Sequence, residues 1–440
     1  MKQERRTYIL LAAYSFVLLL FTTHSSPLFA FNGWNDVNSY FTVGKGWFNG
    51  YVPFVDLIEQ KGHLVYLIYG IGWAIDHTGF FGVYLMQAAF LAVSVIYVYR
   101  LAQLFVSTKE ICFLAAIASP IPLLSYGYAN IGNTGGSAEE FVLTLLTVSF
   151  YYFTLFFIKP KALLPRHMVL QGVLFAAVFM MKFNLTAFFG GFVIVAAVSL
   201  LRSGGRVLWK YTLCFAGGAA LVFAPFLVYL LATESLSAFI EIYFVTNFLY
   251  AGNTEVSLAL RIAEALHEAA RQFIWRFVSL AFMLLAYLFL LIRKKWVYLC
   301  AYSVSLLFLV ISIYLSNAFI HYAGIPLSVF LNMGIIALCN VGEKLTAKRK
   351  VRTPSKFAVV VLVFALTVWR NGLVRNPEFL YRLTPVQREM AEIIWQNAKG
   401  DDPTLLQVAS MDSGFYTASG IIPREPWFHT TNISDDLRPE

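Results

Sequence analysis

The chain is a succession of apolar runs of membrane-spanning length, separated by short charged or turn-rich stretches. A helix needs about 20 predominantly apolar residues to cross a bilayer. Candidate spans on that criterion lie near residues 7–23, 81–102, 111–127, 140–158, 168–182, 185–201, 211–233, 273–292, 296–315, 319–339 and 357–371. A water-soluble fold cannot hide so much apolar surface. Hydrophobic residues make up 59% of the chain and charged residues 13%, against roughly 45–50% and about 25% in soluble domains. A soluble enzyme, collagen, disorder and a coiled coil are therefore excluded. The expected fold is an all-α polytopic membrane protein with about eleven transmembrane helices.

The net charge of +9 does not point to nucleic acid, because Lys and Arg fall in short clusters between apolar runs and form no single stripe. The clusters are residues 1–6, Arg100 with Lys109, Lys159 and Lys161 with Arg166, residues 202–210, residues 293–295 and residues 344–356. The positive-inside rule assigns them to the cytoplasmic side. This puts the N-terminus inside and requires residues 62–76 to lie along the outer interface, where Tyr66, Tyr69 and Trp73 suit headgroup depth. An ordinary span with a different helix count is the alternative. Residues 24–80, 128–139, 234–272 and the tail from 372 onward then fall outside, with the C-terminus extracytoplasmic.

Two units are expected: a transmembrane domain over 1–371, with its first outer loop at 24–80, and a small extracytoplasmic α/β appendage over 372–440. In the appendage, residues 405–409 and 415–422 are β-like runs among turn signals. The N-terminal run reads as an uncleaved first span, lacking a small-residue cleavage site. Cys112, Cys214, Cys300 and Cys339 show no CxxC spacing, and no disulfide or zinc site is expected.

The first outer loop sets charges beside bulky apolar groups. Asn35 or Asp36 can cap a helix beginning at Val37, and Asn49-Gly50 is a turn signal that ends it, so two short interfacial helices joined by a turn are expected. Asp36 also has a chemical reading: a carboxylate held at the membrane surface can accept a proton from a hydroxyl nucleophile. Asp56 and Glu59 can supply a second carboxylate or orient an acceptor. Lys61 can pair with a lipid phosphate, or snorkel with no ligand at all.

The ordered set Asp36, Tyr40, Gly44, Gly50, Pro53, Asp56, Gln60, Lys61 and Gly62 directly follows an N-terminal span. It resembles the first outer loop of GT-C glycosyltransferases, in particular the bacterial branch of protein O-mannosyltransferases and lipid A aminoarabinose transferases. The resemblance implies a GT-C-like transmembrane fold and a polyprenyl-phosphate-linked sugar as donor. It also implies Asp36 as general base or acceptor-positioning carboxylate, and Lys61 as a ligand of the donor phosphate. The family usually has Pro after that Lys and often two adjacent acids at the first position. Here Gly62 follows Lys61, and Val37 follows Asp36.

Further candidates lie in the other outer segments. Ser137 and Glu140 have capping-box spacing, while Asn133, Glu139 and Glu140 can alternatively recognise a sugar. Lys182, between two apolar runs, must reach an interface or a partner, and there it can balance a phosphate. His321-Tyr322 resembles an Arg-Tyr element of some relatives, with His321 where they carry Arg; neutral imidazole offers one donor and no charge. Tyr40, Gln60 and Tyr322 complete the substrate-orienting set. Scattered His residues show no paired ligand spacing, so no metal or other cofactor is expected.

The function that these residues suggest is inverting transfer of a sugar from a polyprenyl-phosphate donor to a hydroxyl of a lipid- or polymer-linked glycan. The expected site is the outer face of a bacterial plasma membrane, among membrane lipids. The alternatives are a transporter or flippase of a polar lipid and a non-catalytic envelope-assembly protein.

Overall fold

Each apolar run folds as helix. The computed structural model describes residues 2–121, 135–162, 164–202, 204–251, 257–275, 277–315, 321–349, 356–371, 384–398, 403–408 and 410–429. In chain order the helices are α1 (Lys2–Thr22), α2 (Asn35–Phe48), α3 (His63–Ile75), α4 (Phe81–Ala102), α5 (Lys109–Ala118), α6 (Ala138–Ile158), α7 (Pro165–Phe179) and α8 (Ala187–Leu201). They continue with α9 (Gly205–Ala232), α10 (Leu258–Trp275), α11 (Phe277–Ile292), α12 (Trp296–Tyr314), α13 (Ser328–Arg349), α14 (Lys356–Asn371), α15 (Val386–Asn397) and α16 (Phe415–Ser419). Shorter helical turns link several of them. The chain is an all-helical polytopic membrane protein, as expected where no water is present to satisfy open backbone groups.

Seven helical segments among the described residues are long and apolar enough to cross a membrane: Gln3–Thr22, Phe81–Ala102, Ala138–Ile158, Phe183–Leu201, Gly205–Ala232, Trp296–Tyr314 and Tyr322–Ala347. The other four expected spans are also helices, but α5, α7, α11 and α14 have 10, 15, 16 and 16 residues. At 1.5 Å per residue they fall short of a hydrocarbon core of about 30 Å. The expected span at 111–127 continues past α5 into residues 122–134, which lie outside the described residues.

α6 is the axis of the bundle, and hydroxyls and one amide join it to its neighbours. Thr144 donates to the Phe90 carbonyl of α4 (3.0 Å), Ser149 to Gln171 of α7 (2.5 Å), and Thr154 shares a hydrogen bond with Tyr298 of α12 (2.7 Å). Between apolar helices such bonds replace the hydrophobic drive that lipid cannot supply.

The basic clusters gather at one end of this bundle. Tyr8 of α1 meets Tyr99 of α4 edge-on, Arg100 lies over the Tyr151 ring near the end of α6, and Glu343 of α13 accepts from the amides of Ser107 and Thr108. Arg293 donates to Asn340, whose amide donates to the Phe105 carbonyl. The α2–α3 hairpin sits at the opposite end, since α1 leaves the basic end and α4 returns to it.

Two short helices with a turn between them form this hairpin, as the loop sequence predicts. Gly50, with φ of 90°, reverses the chain after α2, and the Asn49 side chain caps the Lys45 carbonyl at 2.8 Å. α3 has 13 residues, about 20 Å of helix, too short to cross alone. Tyr66 and Tyr69 are fully buried inside the protein. Their hydroxyls have protein partners, Glu59 at 2.7 Å and the Gly136 carbonyl at 2.5 Å, so burial leaves no polar atom orphaned. Trp73 remains half-buried and stacks on His77.

The two helices cross where Gly44 faces Gly70. A Cβ on Gly44 would stand 2.6 Å from the Gly70 nitrogen and the Tyr66 carbonyl.

The tail differs from its expected α/β form. Among its described residues there is no strand, and residues 415–422 begin as helix α16, bracketed by Gly414 and Gly420 at φ of 92° and 76°. Two left-handed residues six apart terminate a strand ladder before it can start and leave room for one helical turn. Ala409, the end of the other β-like run, lies outside the described residues.

Gly44→Val should force α2 away from α3 and destabilise the folded protein by about 1–3 kcal/mol, the usual range for overpacking. Gly217→Val, where an added Cβ meets nothing within 4 Å, should leave the thermal melt of the detergent-solubilised protein nearly unchanged.

Candidate functional site

Asp36 lies in the first turn of α2, but it is not the cap. Trp34 occupies that position. The Asp36 side chain instead reaches across the fold: its Oδ2 accepts from the Tyr322 hydroxyl at 2.6 Å and, more weakly, from the Tyr40 hydroxyl at 3.4 Å. Tyr322 belongs to the turn His321–Leu327 before α13, and its ring meets Trp34 edge-on at 4.9 Å. Residues near both ends of the chain thus hold one carboxylate. Its Oδ1 has no hydrogen-bond partner among the described residues.

Lys61 arrives from the other end of the hairpin. Glu59 and Lys61 form a closed turn, in which the Glu59 Oε2 accepts from the Lys61 backbone N–H (2.8 Å) and from Tyr66 (2.7 Å), and the Lys61 ammonium stands 3.6 Å from Oε1. That ammonium also lies 5.5 Å from the centre of the Tyr40 ring, which favours cation over neutral amine. Burial would push Glu59 up, but the Lys61 charge, the Tyr66 hydroxyl and the Lys61 N–H together hold it below the usual carboxylate range. Burial would push Lys61 down, and the charges of Glu59, Asp36 and Glu139 overcome this and raise it. Lys61 is therefore a permanent cation in the field of three carboxylates.

Gly62 explains how the turn that carries Lys61 docks onto the bend that carries Lys182. The Gly62 and Leu64 amides donate to the Met181 and Met180 carbonyls at 3.1 Å each. A Cβ on Gly62 would stand 2.0 Å from the Met180 oxygen. Proline, which the related loops carry here, has no amide hydrogen to donate. In this chain the hairpin instead docks through its backbone onto the bend between α7 and α8. Tyr243 braces the same bend, donating to the Phe179 carbonyl (2.5 Å) and accepting from the Phe183 amide (3.0 Å).

At that bend the Lys182 ammonium pairs with Glu139 Oε1, at the start of α6, with Glu139 wholly buried. Removing Lys182 would strand the buried Glu139 charge.

The structure thus brings together Asp36, Tyr40, Glu59, Lys61, Glu139, Lys182 and Tyr322. It does not bring in Asp56, whose Oδ2 accepts from the Val52 amide at 2.6 Å and closes the turn between α2 and α3. The capping box that the Ser137/Glu140 spacing suggests is not formed: Ser137 is the cap residue but its hydroxyl makes no cap bond, and Glu140 accepts from the Gly136 amide and from Gln87, both at 3.0 Å. Gln60 is buried, and its carbonyl accepts from Asn247 at 3.0 Å. Asn133 and the side chain of His321 lie outside the described residues. Tyr66 and Tyr243 are structural members of the site with no motif of their own. Among the described residues no three His, Cys, Asp or Glu side chains are placed to hold a metal ion.

The fold has solved counterparts. The chain is similar to the crystal structure of ArnT from Cupriavidus metallidurans bound to undecaprenyl phosphate, with a TM-score of 0.59 and 14% identity over 95% of this chain and 84% of that one. It is likewise similar to the apo state of the same protein, with a TM-score of 0.56 and 14% identity over 93% and 84%. At this identity the likeness establishes the fold: the chain adopts the polytopic all-helical architecture of that structure. No family model and no curated protein matches the sequence.

Glu59 makes the site's pH response testable. A depressed folded-state pKa contributes stability that is complete above the unfolded value, 4.5, and is lost as pH falls through the lower folded value. The melting temperature of Glu59→Gln should therefore lie below wild type at neutral pH, and the gap should narrow as pH falls below 4.5.

Proposed function

We propose that the protein is a membrane glycosyltransferase that moves a sugar from a polyprenyl-phosphate donor to a hydroxyl of a cell-envelope glycan, glycolipid or glycopolymer. The observation that carries this reading is the Asp36 carboxylate, fixed by Tyr322 and Tyr40, in the field of the Lys61 ammonium. A base and a phosphate-binding cation at one end of a lipid-embedded bundle are what such a transfer requires.

In the reaction, the acceptor oxygen forms a bond to the anomeric carbon as the bond from that carbon to the donor phosphate breaks. Asp36 takes the acceptor proton, and polyprenyl phosphate leaves with the negative charge. A single displacement of this kind inverts the anomeric centre. Lys61, and Lys182 from the adjoining bend, offset charge growing on the departing phosphate, and fixed cations do this without reorganisation. The Tyr322 hydroxyl acts on the carboxylate, holding Oδ2 so that Oδ1 is left for the acceptor.

Three buried atoms support a ligand at this end: Gln60 Nε2, Ser137 Oγ and Glu139 Oε2 have no partner among the described residues. Each such atom costs roughly 1–3 kcal/mol, a cost that sugar hydroxyls would offset on binding. The polyprenyl phosphate bound to the ArnT structure supports the donor class. With the basic loops inside, the site faces outward from a bacterial plasma membrane, the N-terminus is cytoplasmic and the tail extracytoplasmic. The transmembrane domain then covers 1–371 and the outer segment 372–440.

In reconstituted protein supplied with labelled polyprenyl-phosphate sugars and envelope glycan acceptors, Asp36→Asn should lower kcat by about 10²–10⁴-fold at wild-type protein levels. Lys61→Ala should raise the KM for the donor. Unchanged transfer by Asp36→Asn would refute its role, and sugar movement across vesicles with no glycoside formed would replace the reading with transport.

A further inference from the structure

The C-terminal segment makes contacts with the site region that the reaction does not use. Lys45, nine residues beyond Asp36 on α2, is buried to 1% exposure with its Nζ inside the protein, where burial pushes its pKa down to about 7 against the pull of Asp412. It donates to the carbonyls of Tyr416 (2.8 Å), within α16, and Ile421 (2.6 Å), just after it. One turn earlier, Thr42 donates to Asp412 Oδ2 at 2.7 Å, and Asp412 Oδ1 accepts from the Gly414 amide at 2.9 Å. Asp412 and Thr42 are both fully buried. Gly414 lies so close to α2 that a Cβ would stand 2.8 Å from Asn38 Oδ1.

The same segment holds the other half of the site. The Ile58 amide, one residue before Glu59, donates to the Pro426 carbonyl at 3.0 Å. The Tyr416 hydroxyl ties the two arms to each other, donating to the Phe428 carbonyl (2.9 Å) and accepting from the Gln407 amide (2.8 Å). His429, buried at the end of this arm, lies within electrostatic range of both Glu59 and Asp412. One stretch of chain therefore grips the helix that carries Asp36 and the turn that carries Lys61.

Buried charge is a poor way to gain stability, because an apolar residue of similar volume would serve as well or better. Buried polar groups are better suited to enforcing one docking geometry. Here Lys45 can be satisfied only when both tail carbonyls stand in register.

We propose that residues 410–429 are a clamp that sets the position of the Asp36 carboxylate relative to the Lys61 ammonium, with Lys45, Thr42 and Asp412 as its positioning residues. The inference deepens the glycosyl-transfer reading and rests on it. A shift of about 1 Å between reacting groups can cost about 10²-fold in rate, so the clamp acts on kcat and leaves donor affinity to Lys61.

The test uses full-length protein in nanodiscs as wild type, Thr42→Val, Thr42→Ser and Lys45→Met. Hydrogen exchange is read over residues 57–62, which neither Thr42 nor Lys45 touches in the hydrogen-bond network, and kcat and donor KM are measured on the same samples. Thr42→Val and Lys45→Met should speed exchange over 57–62 by about five- to tenfold, as for one lost hydrogen bond. They should lower kcat by about 10–100-fold with donor KM unchanged, and Thr42→Ser, which keeps the hydroxyl, should restore wild-type values. Exchange unchanged over 57–62 in variants whose tail is loosened would overturn the clamp. If Lys45→Met does not yield folded protein, the near-isosteric Thr42 pair decides alone. If wild type transfers no sugar, the transfer reading fails, while the exchange data still support or overturn the mechanical coupling.

Discussion

The hydrogen bond between Tyr322 and Asp36 connects the first loop of the chain to the turn ahead of one of its last spans, 286 residues away. Without it, α2 would still be buried and held by the tail through Thr42 and Lys45, but its first turn would lose its tie to the last third of the chain. With it, the start of α2 is fixed against α13, and a carboxylate has a defined direction at a place where the surrounding groups are mostly apolar. The arrangement around it combines local and distant partners: Lys61 pairs with Glu59 two residues away, while other charges reach across the fold. Lys182 of the α7–α8 bend meets Glu139 of α6, and Lys61 of the first loop lies in the field of Glu139. The site is therefore a property of the assembled bundle, and no single segment contains it.

That distribution explains what was legible in the sequence. The membrane class, the helical composition and the hairpin in the first loop follow from runs of apolar residues and from Asn49-Gly50, which are local signals. Asp36 and Lys61 were legible because they lie on one short ordered pattern. Asp56 belongs to the same pattern and has a different role, because spacing along the chain does not reveal that its nearest donor is its own turn, the Val52 amide. The same limit applies to Tyr66 and Tyr69. Tyrosines in a short apolar stretch suit an interface equally well, and only the placement of Glu59 and Gly136 shows that their hydroxyls have partners inside.

The number of spans shows a related limit. Hydropathy marks where helix forms, and all eleven marked runs contain helix, but it cannot tell a full crossing from a helix that bends or stops partway. The bend at Lys182, between α7 and α8, interrupts one such stretch in order to deliver a charge to the site. Gly62 is legible only as a departure from the related loops. Its reason, a backbone carbonyl 2.0 Å from where a Cβ would be, comes from a segment more than a hundred residues away. In the tail, β-like composition gave way to a helical turn because glycines on both sides took left-handed conformations.

A structure of the protein with bound polyprenyl phosphate tests the central claim most directly. The account places the phosphate within about 3 Å of the Lys61 ammonium, with the Asp36 carboxylate facing the same space. A phosphate seated elsewhere on the bundle, with Lys61 still paired only to Glu59, would contradict it.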